Sequence, residues 1–310
     1  MRVSTDRLQT LLVCPCTAES NLVWASDAVT CSSCDRSYPI IAGKPVIIRF
    51  ERSIVDEDVL KSSAGSSVVK RPSRWQEALS TLIFGRPSDS RRRMAYMAEQ
   101  LRQVPDPVIL VVGGGETGFG MEGLDQDAVT IVSFDVYSSP EVDFIADGHE
   151  IPIAPGSVDA VIVQAVLEHV LDPQKVVGEI HRVLKPGGLV YAETPFIQQV
   201  HEGPYDFTRF TESGHRWLFR RFERIDSGTL RGPGTALLWS IRYAIAAIIG
   251  NKKLAALLCL PVFWIRFLDQ AARPKQAIDA ACDVYFLGRR TETAIEPKAI
   301  VAHYQGAIRS

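Results

Sequence analysis

Long apolar runs are scarce in this 310-residue chain. None reaches the roughly 18 residues expected of a membrane-spanning helix. No charged-then-apolar-then-small pattern opens the sequence, so export is not expected and a cytoplasmic location is the default. Neither sign of charge is in excess: 34 Lys and Arg against 36 Asp and Glu leave a net charge of −2. A nucleic-acid partner, which would require a basic face, is therefore not expected. With 46% hydrophobic and 23% charged residues, wholesale disorder is not expected either.

Cysteine is also sparse, and its distribution is informative. Of the six, Cys259 and Cys282 stand alone and read as small buried apolar residues. Cys14, Cys16, Cys31 and Cys34 crowd into the first 34 positions, with fourteen residues between Cys16 and Cys31. In a chain kept reduced, two such pairs favour metal over disulfides. Four thiolates on two turns make the closed tetrahedron of structural zinc. Short strands at Leu22-Val23-Trp24 and Val29-Thr30 lie between the pairs. The run Leu11-Leu12-Val13-Cys14-Pro15-Cys16, the pair Cys31-Ser32-Ser33-Cys34 and the segment Tyr38-Pro39-Ile40-Ile41-Ala42-Gly43-Lys44-Pro45-Val46 together resemble the Trm112-like zinc-ribbon family. Members usually have two residues between the first two cysteines, where this chain has only Pro15. The resemblance implies a methyltransferase partner, in this case within the same chain.

Residues 51–88 read as a linker and a helix. The linker is the small, polar stretch Lys61-Ser62-Ser63-Ala64-Gly65-Ser66-Ser67. Trp75, Leu79, Leu82 and Ile83 follow at helical spacing. A further helix from about Asp89 to Val104 carries Met94, Met97 and Leu101 on one face, and Arg91, Arg92 and Arg93 read as its solvated start.

The centre of the chain has the cadence of a nucleotide-binding α/β sheet. The strand Val108-Ile109-Leu110-Val111-Val112 breaks into Gly113-Gly114-Gly115-Glu116-Thr117-Gly118. A second strand delivers Asp135, 22 positions after Gly113, close to the spacing at which an acid meets ribose hydroxyls. A third strand, Val142-Asp143-Phe144-Ile145, ends near Asp147-Gly148. Each aspartate alone also reads as a cap or turn former. The succession Asp147-Gly148-His149-Glu150-Ile151-Pro152, Ser157-Val158-Asp159-Ala160-Val161-Ile162, Leu167-Glu168-His169-Val170 and Glu179-Ile180-His181-Arg182-Val183-Leu184-Lys185-Pro186-Gly187-Gly188 resembles class I S-adenosylmethionine-dependent methyltransferases of the type 11 kind.

That resemblance implies a seven-stranded, doubly wound, Rossmann-like sheet over residues 89–310, with the methyl donor S-adenosylmethionine at the carboxyl ends of its first strands. By position, Gly113, Gly114 and Gly115 would approach the donor's amino-acid part, Asp135 its ribose, Asp147 and Gly148 its adenine, and Gln164 its sulfonium. Val111 stands where family members carry an acid, so Glu116 is expected to supply that carboxylate. Glu168 and His169 are expected near the start of the helix after the fourth strand. Lys185-Pro186-Gly187-Gly188 reads as a helix stop and turn.

Beyond the fifth strand lies His201-Glu202-Gly203-Pro204-Tyr205-Asp206-Phe207-Thr208-Arg209-Phe210-Thr211, where ionisable groups alternate with aromatics as in a site for a polar acceptor. His201 is the expected base, with Asp206 or Glu202 orienting it. Arg209 either binds an anionic acceptor or pairs with Asp206. The sixth and seventh strands are expected at Phe222–Ser227 and Asp283–Arg289, with a hydrophobic helical insertion at 235–270 between them. It reads as a lid over the site, a homodimer interface or a peripheral membrane contact. The expected function is methyl transfer to a glycan, a lipid-linked sugar or another small metabolite. The alternatives are a non-catalytic donor-binding scaffold that recruits a partner through the 1–50 ribbon, and a protein or RNA methyltransferase.

Overall fold

In the computed structural model, residues 3–16, 22–62, 81–83, 85, 88–116, 118–124 and 128–308 are described. Among the described residues, eleven strands form one sheet. The first four are β1 (Leu22–Trp24), β2 (Ala28–Cys31), β3 (Ser37–Ile41) and β4 (Lys44–Ile47). The core strands are β5 (Val108–Val112), β6 (Thr130–Asp135), β7 (Phe144–Ala146), β8 (Val158–Gln164) and β9 (Leu184–Pro195). The last two are β10 (Phe222–Arg231) and β11 (Asp283–Arg290). Their spatial order is β1-β2-β3-β4-β7-β6-β5-β8-β9-β11-β10.

The central strands are parallel and buried on both faces, which explains why they read as unbroken apolar runs. In β5, Val108, Leu110 and Val112 pack into one core and Ile109 into the other. The second core is closed by Met94, Met97 and Leu101 of the helix Ser88–Leu101. The strand order reverses between β5 and β8, and ligands of open α/β sheets bind at such a switch point.

The expected seven strands are all present, but the sheet is larger than that. β4 pairs in parallel with β7, joining Val46 to Ile145 and Ile47 to Ala146, so the four N-terminal strands continue the sheet. The physical reason is the edge: β7 would otherwise present unpaired N–H and C=O groups. Leu12 bridges Ile153 nearby, and the Val13 N–H donates to the Pro152 carbonyl at 3.0 Å.

Other expectations shift locally. No helix begins at Glu168; the helix Pro173–Val183 starts later, with the Asp172 side chain accepting from the Lys175 N–H and Pro173 in its first turn. Lys185–Gly188 is a bulge inside β9, where Val158 faces Leu184 and Ala160 faces Leu189, and Gly187 takes a φ of 75°. Arg93 is not a solvated helix start but is buried, its guanidinium 3.3 Å from the centre of the Tyr285 ring. Ser63–Ser67, Trp75 and Leu79 lie outside the described residues, whereas Ile83 packs against Leu238 and Cys259.

The insertion is helical over Pro233–Ile249 and Lys252–Leu258. Its base is tied by Asp269, which accepts from the Gly234 N–H at 2.7 Å and the Thr235 hydroxyl at 2.6 Å. No single described helix is long and apolar enough to cross a membrane.

His215, in the helix Glu212–Leu218, is fully buried beside Phe219, and burial pushes its imidazole down to about 3. The unfolded chain takes up this proton below about pH 6.5 and the folded chain does not, so stability should fall with pH between about 6.5 and 3. The slope from this group is about 1.4 kcal/mol per pH unit. Denaturant unfolding at pH 7, 6 and 5 should show it, and His215→Phe should flatten it; an unchanged slope in the variant would contradict the assignment.

Candidate active site

β5 ends in the glycine turn because no side chain fits there. Gly113 has a φ of 72°, and a Cβ at this position would lie 2.2 Å from Val166 Cγ2. The Gly114 N–H donates to the Phe134 carbonyl at 2.9 Å, holding the turn against the end of β6. There Asp135 accepts from the Gly115 N–H at 2.8 Å and the Val136 N–H at 2.7 Å. Burial nevertheless raises its carboxyl to about 6, against the lowering effect of those two bonds and with a small push from Glu116. A carboxylate so desolvated gains from further donors, and vicinal hydroxyls are a matching group. Glu116 itself is exposed at the mouth of the turn.

At the end of β7, Asp147 is already engaged. It accepts from the Ser53 hydroxyl, from the His149 N–H at 2.9 Å and from His149 Nδ1 at 2.6 Å. Burial pushes its carboxyl up, but the bonds from His149 and Ser53 outweigh this and leave it below the usual range. Ser53 and Arg49 follow β4, and Arg49 also pairs with Glu150, so the segment after β4 buttresses this edge. Gln164 ends β8 and donates to the Phe119 carbonyl at 3.0 Å. Next to it Ala165 has a φ of 53°. A non-glycine residue held there costs about 1–2 kcal/mol, and such strain concentrates at functional sites.

The segment after β8 and the 201–211 loop meet. The Glu168 carbonyl accepts from the Phe207 N–H at 2.8 Å, and the His169 and His201 rings stand edge to face, 4.9 Å apart. Burial pushes the Glu168 carboxyl up to about 8. Burial likewise lowers both imidazoles, which favours their neutral, proton-accepting forms. The loop is held by Arg209, which pairs with Asp206 and donates to the Gln198 carbonyl at 2.8 Å. Asp206 also accepts from the His201 N–H at 2.9 Å. Its own burial is outweighed by these bonds, and its carboxyl falls to about 2. The insertion reaches the same loop: Tyr243 donates to the Val200 carbonyl, and Gln199 donates to Ser240 at 3.0 Å.

Far from this, the four cysteine sulfurs lie within 4.8 Å of one another. Cys14 to Cys34 is 3.8 Å and Cys16 to Cys31 is 3.7 Å. Zinc–sulfur bonds of about 2.3 Å place tetrahedral sulfurs roughly 3.8 Å apart, so this donor set fits the ion. The Ser33 and Cys34 N–H groups overcome burial and bring the Cys31 thiol down to about 7.

Residues 110–192 match the methyltransferase domain family. The matched span contains the glycine turn, Asp135, Asp147, Gly148, Gln164 and the Glu168-His169 pair. The chain is 34% identical over 115 residues to a demethylmenaquinone methyltransferase of Renibacterium salmoninarum, covering 34% of this chain and 48% of that one. It is 31% identical over 117 residues to a ubiquinone biosynthesis O-methyltransferase of Klebsiella pneumoniae, covering 33% and 48%. The chain thus spans about half the length of the curated relatives it matches. Among solved structures, Haemonchus contortus phosphoethanolamine N-methyltransferase 2 with S-adenosyl-L-methionine aligns at 17% identity and a TM-score of 0.41, over 70% of this chain and 56% of that one. A complex containing the Haloferax volcanii Trm112 methyltransferase activator aligns at 16% and 0.39, over 72% and 100%.

Around the matched span, the structure brings the expected donor residues Gly113, Gly114 and Gly115 against Asp135 at the end of β6, with Gln164 at the end of β8. Asp147 and Gly148 sit two strands away, and Asp206 and Arg209 anchor the loop that carries His201. Glu202 precedes a single turn, Gly203–Tyr205, and caps nothing with its side chain. The sequence reading passed over Glu193, buried on β9, which accepts from the Ser90 hydroxyl at 2.6 Å and from Tyr191. A charged residue inside the apolar run of β9 was the available signal.

Removing one member of a buried ion pair strands the other and costs about 3 kcal/mol. Arg209→Met should therefore lower unfolding free energy by about that amount, and Asp206→Asn with Arg209→Met should cost less than the two singles summed. Additive losses in a double-mutant cycle would show that Arg209 is not the loop's anchor.

Proposed function

We propose that this chain transfers a methyl group from S-adenosylmethionine to a polar acceptor. The observation that carries the reading is the match of residues 110–192, because that span includes the glycine turn and the strand-end acids. The donor, when bound, supplies an electrophilic methyl group. The chain's residues do the rest. Gly113 to Gly115 let the backbone approach the donor's amino-acid end, and Asp135 takes its ribose hydroxyls. Asp147 and Gly148 lie at its adenine edge. Glu116 receives the amino group that Val111 cannot, and Gln164 orients the donor beside the acceptor. His201, neutral and largely enclosed, takes the acceptor's proton at Nε2. Asp206 and Arg209 position His201 by fixing its backbone, and Glu202 adds negative charge near His169.

The four cysteines hold a structural zinc in this reading, making the first 50 residues a zinc ribbon whose exit segment steadies Asp147. A lipid-linked acceptor is favoured by a specific surface. Leu254, Leu257, Leu258 and Trp264 are exposed on the insertion, next to Lys252 and Lys253 at its tip. Apolar and basic groups together suit an anionic membrane interface, and one relative is a demethylmenaquinone methyltransferase.

Calorimetric titration with S-adenosylmethionine should give saturable binding. Gly113→Ala should weaken it at least tenfold, since its Cβ meets Val166 and its φ is left-handed. Transfer of labelled methyl to cell extract should be lost in His201→Ala with donor binding kept. Binding without transfer to any extract component would favour the scaffold reading. In a flotation assay with vesicles of phosphatidylcholine and phosphatidylglycerol, the full chain should float. The chain with Leu254, Leu257 and Trp264 changed to serine should not, and equal recovery of both in the unbound fraction would sink the membrane contact.

A further inference from the structure

Glu168 is 1% exposed at its side chain, and among the described residues neither carboxylate oxygen has a hydrogen-bond partner. A buried polar group without one costs several kcal/mol, so its surroundings need an explanation. Two imidazoles provide it. His169 Nδ1 is 2.7 Å from the Tyr205 carbonyl, and His201 Nδ1 is 3.3 Å from the Gln199 carbonyl. A carbonyl only accepts, so each Nδ1 carries the hydrogen and each Nε2 keeps its lone pair. Those Nε2 atoms lie 3.6 and 3.8 Å from Glu168 Oε1. These gaps are too long for hydrogen bonds. They are close to the roughly 3.4 Å between donors that share a cation at about 2.1 Å in tetrahedral geometry. One ligand atom from each residue lies within 4.8 Å of the other two.

We propose that Glu168, His169 and His201 form a divalent transition-metal site of the two-imidazole, one-carboxylate kind, separate from the four cysteines. Imidazole selects ions such as zinc, iron or cobalt over magnesium and calcium. The two Nδ1–carbonyl contacts are the outer supports that fix such ligands. About a fifth of each histidine side chain is exposed, which leaves an approach and an open coordination position. The site adjoins the glycine turn: the His169 N–H donates to the Val166 carbonyl at 2.8 Å, and Val166 packs on Gly113. Resting on the methyl-transfer reading, an acceptor hydroxyl at the open position is acidified by the cation, its proton leaving to water. In the metal-bound chain His201 Nε2 is a ligand and is no longer free to act as base, so the cation takes over that part of the role given to His201 above.

Chelator-stripped full-length protein, loaded with one equivalent of zinc for the thiolates, would be titrated with Co²⁺ and followed by visible absorption. A further equivalent should bind with d–d bands and no thiolate charge-transfer band. Glu168→Gln, which preserves volume, should weaken it at least tenfold, and His169→Ala with His201→Ala should abolish it. Circular dichroism and retained binding of the first zinc show that each variant is folded. No Co²⁺ band in the wild type, or bands unchanged in the folded variants, would overturn the site. Donor titration on the same samples separates the readings. Donor binding without a Co²⁺ band removes the metal site alone, whereas a Co²⁺ band without donor binding removes methyl transfer alone.

Discussion

Desolvation of carboxylates at the carboxyl ends of the parallel strands is the constraint on which the rest depends. Burial raises an acid unless donors replace the lost water. The sheet meets this demand unequally. Asp147 is supplied by Ser53 and His149 and sits below the usual range. Glu193 has Ser90 and Tyr191, yet burial still raises it. Asp135 has two backbone N–H groups and remains raised, and among the described residues the Glu168 carboxylate oxygens have no hydrogen-bond partner. Asp135 beside the glycine turn and Glu168 beyond β8 both remain raised, and there an incoming ligand contributes by bringing donors or positive charge.

The topology creates this arrangement. The strand order reverses between β5 and β8, the kind of place where ligands of open α/β sheets bind. The glycine turn follows β5 at this point, and Ala165, with its left-handed backbone, follows β8. The 201–211 loop closes over Glu168 by backbone hydrogen bonds, and the insertion grips that loop through Ser240 and Tyr243. On the far edge, β4 seals β7 and carries Ser53 to Asp147. The cysteine module is thereby coupled to the Asp147 edge of the sheet through the β4–β7 pair, the Leu12–Ile153 bridge, the Arg49–Glu150 pair and the Ser53 hydroxyl.

Much of this was legible in local signals. Unbroken β-branched runs marked the parallel strands, Gly113 marked a turn that excludes side chains, and the cysteine spacing marked two knuckles. What was not legible depends on long-range pairing. Nothing near Val46 indicates that it meets Ile145, because strand register is set by edges that exist only in the fold. Glu168 and His169 read as helix because their neighbours are apolar, whereas Asp172 and Pro173 set the true start. The convergence of His201 on Glu168 required the Asp206–Arg209 anchor. That pair was foreseen as one option for Arg209, without its consequence for the histidine.

The most direct test of the account is a crystal structure of the full chain with S-adenosylhomocysteine. The account predicts the ribose hydroxyls within about 3 Å of the Asp135 carboxylate, the hydrogen-bond range, and the sulfur facing Gln164. Product bound elsewhere, or bound at the glycine turn with Asp135 still contacting only the Gly115 and Val136 N–H groups, would contradict it.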